Sequence, residues 1–185
     1  MPGLVILMIG VGLPILFVVL TFNTLVALRN HIRDAWANID TELKRRHDLI
    51  PNLVAAVKGY AAHEKAIFEK ITALRSRCVA ALDQSQQAAS QENELAQAVK
   101  QMLAVVENYP QLKADQHFLT LQQQLTQTED RIQAARRFFN GNVRDYRNKC
   151  ETFPSNLVAG LFGFETRDYF QVTSADRDVP DVAEV

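Results

Sequence analysis

Hydrophobic residues fill the first part of the chain almost without interruption. The first 28 residues carry no charged side chain, and Thr21 is the only polar side chain between Gly3 and Phe22. A helix rises about 1.5 Å per residue, so roughly twenty residues cross the hydrocarbon core of a bilayer, about 30 Å thick. The pattern therefore predicts a transmembrane helix within residues 1–28.

A cleaved signal peptide is the alternative interpretation of this segment. It would need a basic start, a shorter apolar core and small residues at a cleavage site, and none of these is evident. Basic residues instead follow the apolar run, at Arg29, Arg33 and 44–46. Because positive charge favours the cytoplasmic side, we expect the short N-terminus to face outward and the remaining residues to lie in the cytoplasm.

Beyond the anchor, apolar residues recur at alternating steps of three and four, which is typical of helices. Only two prolines and two glycines occur between Ile15 and Phe153, so long helices are favoured. Four apolar stripes are present, over Leu25–Leu43, Leu53–Ala81, Leu95–Tyr109 and Phe118–Tyr146. With short connections, these stripes predict an all-α fold: an N-terminal transmembrane helix followed by an antiparallel, up-and-down four-helix bundle.

Breaks between the helices are expected where turn-forming residues cluster. Asp48 and Pro51 predict a break or a bend at 47–52, and the polar stretch 83–90 predicts a loop. Tyr109 and Pro110 should end the third helix, and Asp115 or a neighbour should begin the fourth, which continues through Gly141. The resulting division is an anchor (1–28), a cytoplasmic bundle (29–150), a membrane-proximal apolar segment (151–172) and an acidic tail (173–185).

Composition and motifs argue against catalysis. The net charge is −1, and no basic-aromatic surface pattern indicates nucleic-acid binding. The chain has no phosphate-binding loop, no zinc-protease helix at His63-Glu64 and no nucleophile motif. Cys78 and Cys150 lack metal-binding or redox spacing, so we expect two reduced cysteines in the core. The sequence therefore predicts no enzyme activity, no metal and no cofactor.

Several short sequence motifs resemble those of the LemA family. The longest and most specific runs from Lys44 to Val54, KRRHDLIPNLV. The others are Asn23–Asn30, Ala35-Trp36, Val57–Tyr60, Glu107–Lys113, Arg136–Asn140 and Phe153–Asn156. The resemblance implies a bacterial inner-membrane protein with a mostly four-helix cytoplasmic domain and no assigned reaction. Relatives in magnetosome membranes imply a structural or organising role.

One candidate partner-binding site lies in the longest of these motifs, Lys44–Val54, at Arg45, Arg46, His47, Asp48 and Asn52. Arginine guanidinium groups bind carboxylates and phosphates through two hydrogen bonds at once, so these arginines and an exposed histidine could bind an acidic or phosphorylated protein partner. The alternative is a structural turn, in which Arg45 or Arg46 pairs with Asp48 and Ile50 closes the core. The sequence leaves both interpretations open.

A second candidate site faces the lipid. Residues 131–150 carry six basic side chains and one acidic one, and an uncharged aromatic segment, 153–164, follows. If the last helix returns to the membrane, anionic headgroups attract these cations. The lipid-facing candidates are Arg136, Arg137, Arg144, Arg147, Lys149, Leu161 and Phe162. The alternative is that the apolar residues fold back onto the end of the bundle.

Two functions are consistent with this pattern. The first is a non-enzymatic, homo-oligomeric scaffold that organises the lipid bilayer and recruits a protein partner. The second is a membrane-anchored signalling adaptor or sensor that binds its partner at one end of the bundle. A large, regular assembly of the purified protein would favour the scaffold, and a monomer that binds one signalling protein would favour the adaptor.

Overall fold

The computed structural model describes residues 2–81, 85–166 and 169–170, with side chains described from residue 10 and, in the third helix, from residue 89. All regular secondary structure in these ranges is helical, so the predicted all-α fold with an apolar N-terminal helix is confirmed. The helices are α1 (Pro2–Lys58), α2 (Lys65–Ala80), α3 (Ser85–Val106), α4 (Pro110–Lys113), α5 (Gln116–Glu151) and α6 (Ser155–Leu161). The predicted acidic tail, 173–185, lies outside the described residues.

The first part of α1 presents its apolar side chains outward. Val11, Leu13, Ile15, Leu16, Phe17, Val19 and Leu20 are each between 39% and 61% exposed. Among the described residues, one helix is long and apolar enough to cross a membrane, and 11% of its most apolar window is buried. That exposure distinguishes α1 from the core helix of a soluble domain.

α1 passes without a break through 47–52, so of the two predicted alternatives, a break or a bend, the break is wrong. The chain instead turns at residues 59–64, where Tyr60 and Ala61 donate backbone hydrogen bonds to the carbonyl of Val57. Glu64, the one charged residue on the predicted second stripe, stands at the N-cap of α2. Gly59 opens this turn, since glycine favours a helix end over a helix interior.

The other helix ends follow the sequence more closely. Asp115 caps α5, because its Oδ1 accepts the backbone N–H of Phe118 at 2.9 Å. That bond lowers the pKa of the Asp115 carboxyl below its ordinary value. α5 continues through Gly141, as predicted, and ends at Glu151. The predicted loop at 83–90 is shorter, since α3 begins at Ser85.

Two compact units divide the chain, and each is described separately. The terminal unit comprises Met1–Asn38 and Ala135–Tyr169, and the central unit contains Ile39–Ala134. In the terminal unit, the rings of Trp36 and Phe139 meet edge to face with centroids 5.5 Å apart. Phe22, which precedes Trp36 in α1, has its ring centroid 5.0 Å from that of Phe162, which follows Phe139. The two segments of the terminal unit therefore run in opposite directions.

The core of the central unit is built from α1, α2, α3, α4 and α5. Its buried residues include Ile50, Leu53, Ile71, Leu74, Leu95, Met102, Phe118 and Leu125. Ion pairs fix the helix directions: Arg131 pairs with Glu42 at 3.8 Å and Glu129 with Arg46 at 2.8 Å, so α1 and α5 are antiparallel here. This core surrounds a small group of charged side chains.

Candidate functional site: a buried ionic cluster

Arg46 and His47 enter the core of the central unit from α1. They occupy the same helical stripe as Leu43 and Ile50, because residues three and four apart share a helix face. Arg46 is 1% exposed and His47 is 2% exposed. Two polar side chains therefore replace apolar ones at a buried level of this helix.

Glu92 of α3 meets both of them and is itself fully buried. Its Oε2 accepts a hydrogen bond from Nη2 of Arg46, and its Oε1 lies 2.8 Å from Nε2 of His47. The other arm of the guanidinium, Nη1, donates to Oε1 of Glu129 at 2.8 Å. Glu129 lies on α5 and is 34% exposed, so one edge of the cluster reaches the surface. We call Arg46, His47, Glu92 and Glu129 the ionic cluster.

Within the ionic cluster, the pKa values of Arg46 and Glu92 shift so that both groups are charged. Burial acts to lower the pKa of Arg46, but the charges of Glu129 and Glu92 outweigh it and raise the pKa. Burial likewise acts to raise the pKa of Glu92. The hydrogen bond with His47 and the charge of Arg46 outweigh that effect and lower the pKa. Arg46 and Glu92 therefore form a charged pair, which is costly to bury unless its hydrogen bonds are satisfied.

Cys78 of α2 borders the cluster as a neutral thiol. Burial, followed by the nearby charge of Glu92, raises the pKa of Cys78 from 9.0 to about 12. Nucleophilic cysteines have lowered pKa values, because the thiolate is the reactive form. Cys78 and Cys150 are both free and buried, as the sequence predicts.

Three of these side chains have the chemistry of metal ligands. The ligand atoms of His47, Cys78 and Glu92 all lie within 4.8 Å of one another, and Zn²⁺ binds such donors. Both Glu92 oxygens, however, already accept hydrogen bonds from Arg46 and His47, and the thiol is protonated. A cation here would also face the guanidinium of Arg46. The arrangement therefore fits a self-contained ion network better than a metal centre.

A proline explains a further contact at the same level of α1. Pro51 has no backbone N–H, so it cannot donate to the carbonyl of His47, four residues earlier. Nε of Arg75 on α2 donates to that carbonyl instead, at 2.7 Å. The side chain of one helix thus replaces the hydrogen bond that proline removes from another, which explains how α1 continues through Pro51.

The structure divides the predicted partner-binding residues. Arg46 and His47 are buried in the ionic cluster, whereas Arg45, Asp48 and Asn52 are exposed on α1. The alternative turn is not formed by Arg46 either, because its partners are Glu92 and Glu129 rather than Asp48. The physical reason is the unbroken helix, which turns neighbouring residues to different faces.

Sequence reasoning missed Glu92 and Glu129. Glu92 lies three residues before Leu95, the first residue of the predicted third stripe. Extending that stripe by one step toward the N-terminus therefore includes Glu92. Arg46 interrupts the apolar stripe of α1 in the same way. A positive and a negative charge on the buried faces of two helices are the signal of a buried ion pair.

The predicted lipid-facing residues are also placed differently from one another. Arg136 is buried, since it lies on the stripe of Ile132 and Phe139, and its inclusion was wrong. Arg137 and Arg144 are exposed, and Arg147 and Lys149 are half-buried.

Both apolar members of that predicted set are exposed. Leu161 is 76% exposed and Phe162 is 49% exposed. Phe162 also contacts Phe22 of α1, so the fold-back alternative holds for part of the segment.

Fold and site together define an all-helical protein with an exposed apolar N-terminal helix and a buried ionic cluster. The chain belongs to the LemA family, whose sequence model matches residues 35–183. Magnetosome proteins MamQ 1 and MamQ 2 of Paramagnetospirillum magneticum are each 25% identical over 175 residues, 81% of this chain and 64% of theirs. The chain thus covers less than two thirds of those relatives. Protein LemA of Metamycoplasma hominis is 26% identical over 164 residues, 88% of this chain and 74% of its own.

Proposed function

We propose that this protein is a single-pass inner-membrane scaffold that acts without catalysis, with its N-terminus outside and its helical part in the cytoplasm. The observation that carries the proposal is the outward exposure of the apolar residues in the first part of α1. Burying a large apolar side chain is worth about 1.5–3 kcal/mol, so a row of such residues strongly favours lipid over water.

The ionic cluster supports a role other than catalysis. Arg46, His47 and Glu92 bind one another and are at most 2% exposed, so a substrate has no access to them without unfolding. The neighbouring thiol is neutral. The most chemically capable side chains of the central unit therefore hold helices together.

An organising role is supported by the relatives. MamQ 1 and MamQ 2 are named as magnetosome proteins. A scaffold needs exposed surfaces for a partner or for a second copy. α1 offers the outward row between Val11 and Leu20 within the membrane, and Arg45, Asp48 and Asn52 beyond it.

Topology and assembly can be tested with single cysteines in the full-length protein. We expect a membrane-impermeant maleimide to label Pro2→Cys in intact cells, and to label Gln101→Cys only after permeabilisation, because Gln101 is exposed on α3. The parent protein is the control, since its two cysteines are buried. Extraction by alkaline carbonate, or the opposite labelling pattern, would contradict the anchor or its orientation.

Self-association needs a separate measurement. Leu16→Cys places a thiol on the exposed face of the span, and we expect mild oxidation in membranes to give disulfide-linked dimers. A protein that stays in the membrane but gives no dimer, and sediments as a monomer in detergent, would retain the anchor and refute the scaffold.

A further inference from the structure

α6 is a short helix with one buried face and one exposed face. Val158 and Ala159 are buried against the terminal unit, whereas Leu157 is 63% exposed and Leu161 is 76% exposed. The Ser155 hydroxyl fixes the start of α6, because its Oγ lies 2.7 Å from the carbonyl of Lys149 and 2.8 Å from that of Thr152. The apolar outer face is thus held in place rather than loosely attached.

Exposed apolar residues lie on α6 and at both of its ends. Leu157 and Leu161 are four residues apart on the helix, Phe162 is its C-cap, and Phe153 lies in the turn before it; we call these four residues the α6 patch. Phe153 is 74% exposed. Several exposed apolar residues grouped along one short segment mark a surface that contacts a partner or a membrane.

The position of the patch along α1 selects between these occupants. Phe22 closes the apolar stretch that begins at Gly3, and its ring packs edge to face with Phe162 at 5.0 Å and with Phe164 at 5.5 Å. The guanidinium of Arg29 lies over the ring of Phe164, at 5.5 Å. The patch therefore continues the apolar surface of α1 at the end of the span, where charged residues begin.

Charge around the patch is complementary to a lipid surface. The segment 153–164 has no charged side chain, and Ala135–Glu151 before it carries five basic and two acidic residues. Arg144 and Arg147 each have an acidic neighbour, at 3.4 and 3.3 Å, so part of this positive charge is compensated locally. Of the other three basic residues, Arg136 is buried and Arg137 adjoins Phe138 further along the bundle, so Lys149 is the one that lies near the patch and favours anionic headgroups.

We propose that α6 lies in the interfacial layer of the membrane that α1 crosses, with the α6 patch among the upper acyl chains. The inference rests on the proposed function, because it requires α1 to be inserted. An uncharged helical face inserted beside a transmembrane helix gives the protein a second contact with the bilayer. That contact fixes how the terminal unit is oriented on the membrane surface.

Tryptophan fluorescence in vesicles of brominated phosphatidylcholine and phosphatidylglycerol tests this placement, because bromine quenches an indole that it touches. Trp36 is the single tryptophan, so each probe is introduced into full-length protein carrying Trp36→Phe, which keeps a ring beside Phe139. Leu161→Trp reports on the α6 patch. Leu16→Trp is the positive control within the span.

Phe138→Trp is the matched negative control. Phe138 is an exposed aromatic residue of the same unit, but it adjoins the Phe139–Trp36 contact, about 21 Å further along α1 than Phe22. We expect bromine to quench Leu161→Trp nearly as strongly as Leu16→Trp, and to leave Phe138→Trp unchanged.

The outcomes separate the two proposals. Quenching at position 16 without quenching at 161 would refute the α6 contact and retain the transmembrane anchor. Equal quenching at 138 and 161 would show that the patch has no special position, and would also refute the contact. Absence of quenching at 16 would refute the anchor and, with it, the inference about α6. Circular dichroism of each variant establishes that the helices are intact.

Discussion

Replacing Glu92 by Gln should destabilise the central unit substantially. Glutamine keeps the size of the side chain but removes its charge, so Arg46 loses its fully buried partner and keeps only Glu129. Removing one member of a buried ion pair costs about 3–5 kcal/mol. Because Glu129 remains and is partly exposed, we expect a loss near the lower end, about 3 kcal/mol.

Glu94→Gln is the matched control on the same helix. Glu94 pairs with Arg77 at 3.9 Å, and both side chains are more than half exposed. Such surface pairs contribute about 0–1 kcal/mol, because water and salt screen them. The two substitutions are chemically identical and lie two residues apart, so their difference isolates the effect of burial.

Equilibrium urea unfolding of the full-length protein in detergent, followed by far-ultraviolet circular dichroism, measures both free energies of unfolding. We expect Glu92→Gln to lower the unfolding midpoint clearly and Glu94→Gln to leave it nearly unchanged. Similar small changes for both variants would mean that the ionic cluster does not hold α1, α3 and α5 together, and the reasoning would be wrong.

The pH dependence of the same measurement identifies the charge on Glu92 as the cause. The folded-state pKa of Glu92 is lowered, so its contribution is complete above the ordinary value of 4.5 and is lost as the pH falls through the folded-state value. The difference between the parent and Glu92→Gln should therefore be largest at neutral pH and shrink in acid. A difference that is constant with pH would point to altered packing instead.

Two further predictions concern the contacts around the cluster. Arg75→Met should cost about 1–2 kcal/mol, because it leaves the carbonyl of His47 without a donor. The cost should fall in a Pro51→Ala background, where residue 51 regains its N–H; equal costs in both backgrounds, measured by urea unfolding, would contradict this pairing. Cys78 should resist Ellman's reagent at pH 8 until the protein unfolds, because burial raises its pKa to about 12. The neighbouring exposed position, as Val79→Cys with Cys78→Ala, should react at once, and equally fast reaction of native Cys78 would contradict its burial.

Periodicity predicts the helical character of the chain but divides it at the wrong place, since the second stripe, Leu53–Ala81, is shared between α1 and α2. The apolar stripes depend on long runs of side chains, so a single exception does not hide them. A break depends on one or two residues and on what surrounds them. Pro51 alone predicts an interruption of α1, yet Arg75, 24 positions later in the sequence, supplies the missing donor. No local pattern reveals that compensation, whereas Glu64 and Gly59 marked the true turn.

The ionic cluster shows a different limit of sequence reasoning. Arg45 and Arg46 are adjacent and chemically identical, but the helix carries one to solvent and the other into the core. The phase of the stripe through Leu43 and Ile50 was sufficient to separate them once α1 was known to be continuous. With a break predicted at 47–52, the stripe cannot be continued from Leu43 to Ile50. The wrong boundary therefore also prevents the prediction that Arg46 is buried.

For the membrane-proximal segment, the sequence leaves two placements of the apolar residues open. Its apolar residues were expected either to meet lipid or to fold back onto the protein. A helix has two faces, so both can occur: Val158 and Ala159 are buried, while Leu157 and Leu161 point outward. The outward residues border the contact of Phe162 with Phe22, which ties them to the end of the apolar span. The inner face therefore fixes where the outer face lies, and an exposed apolar surface held at that level is the arrangement that the proposed interfacial contact requires.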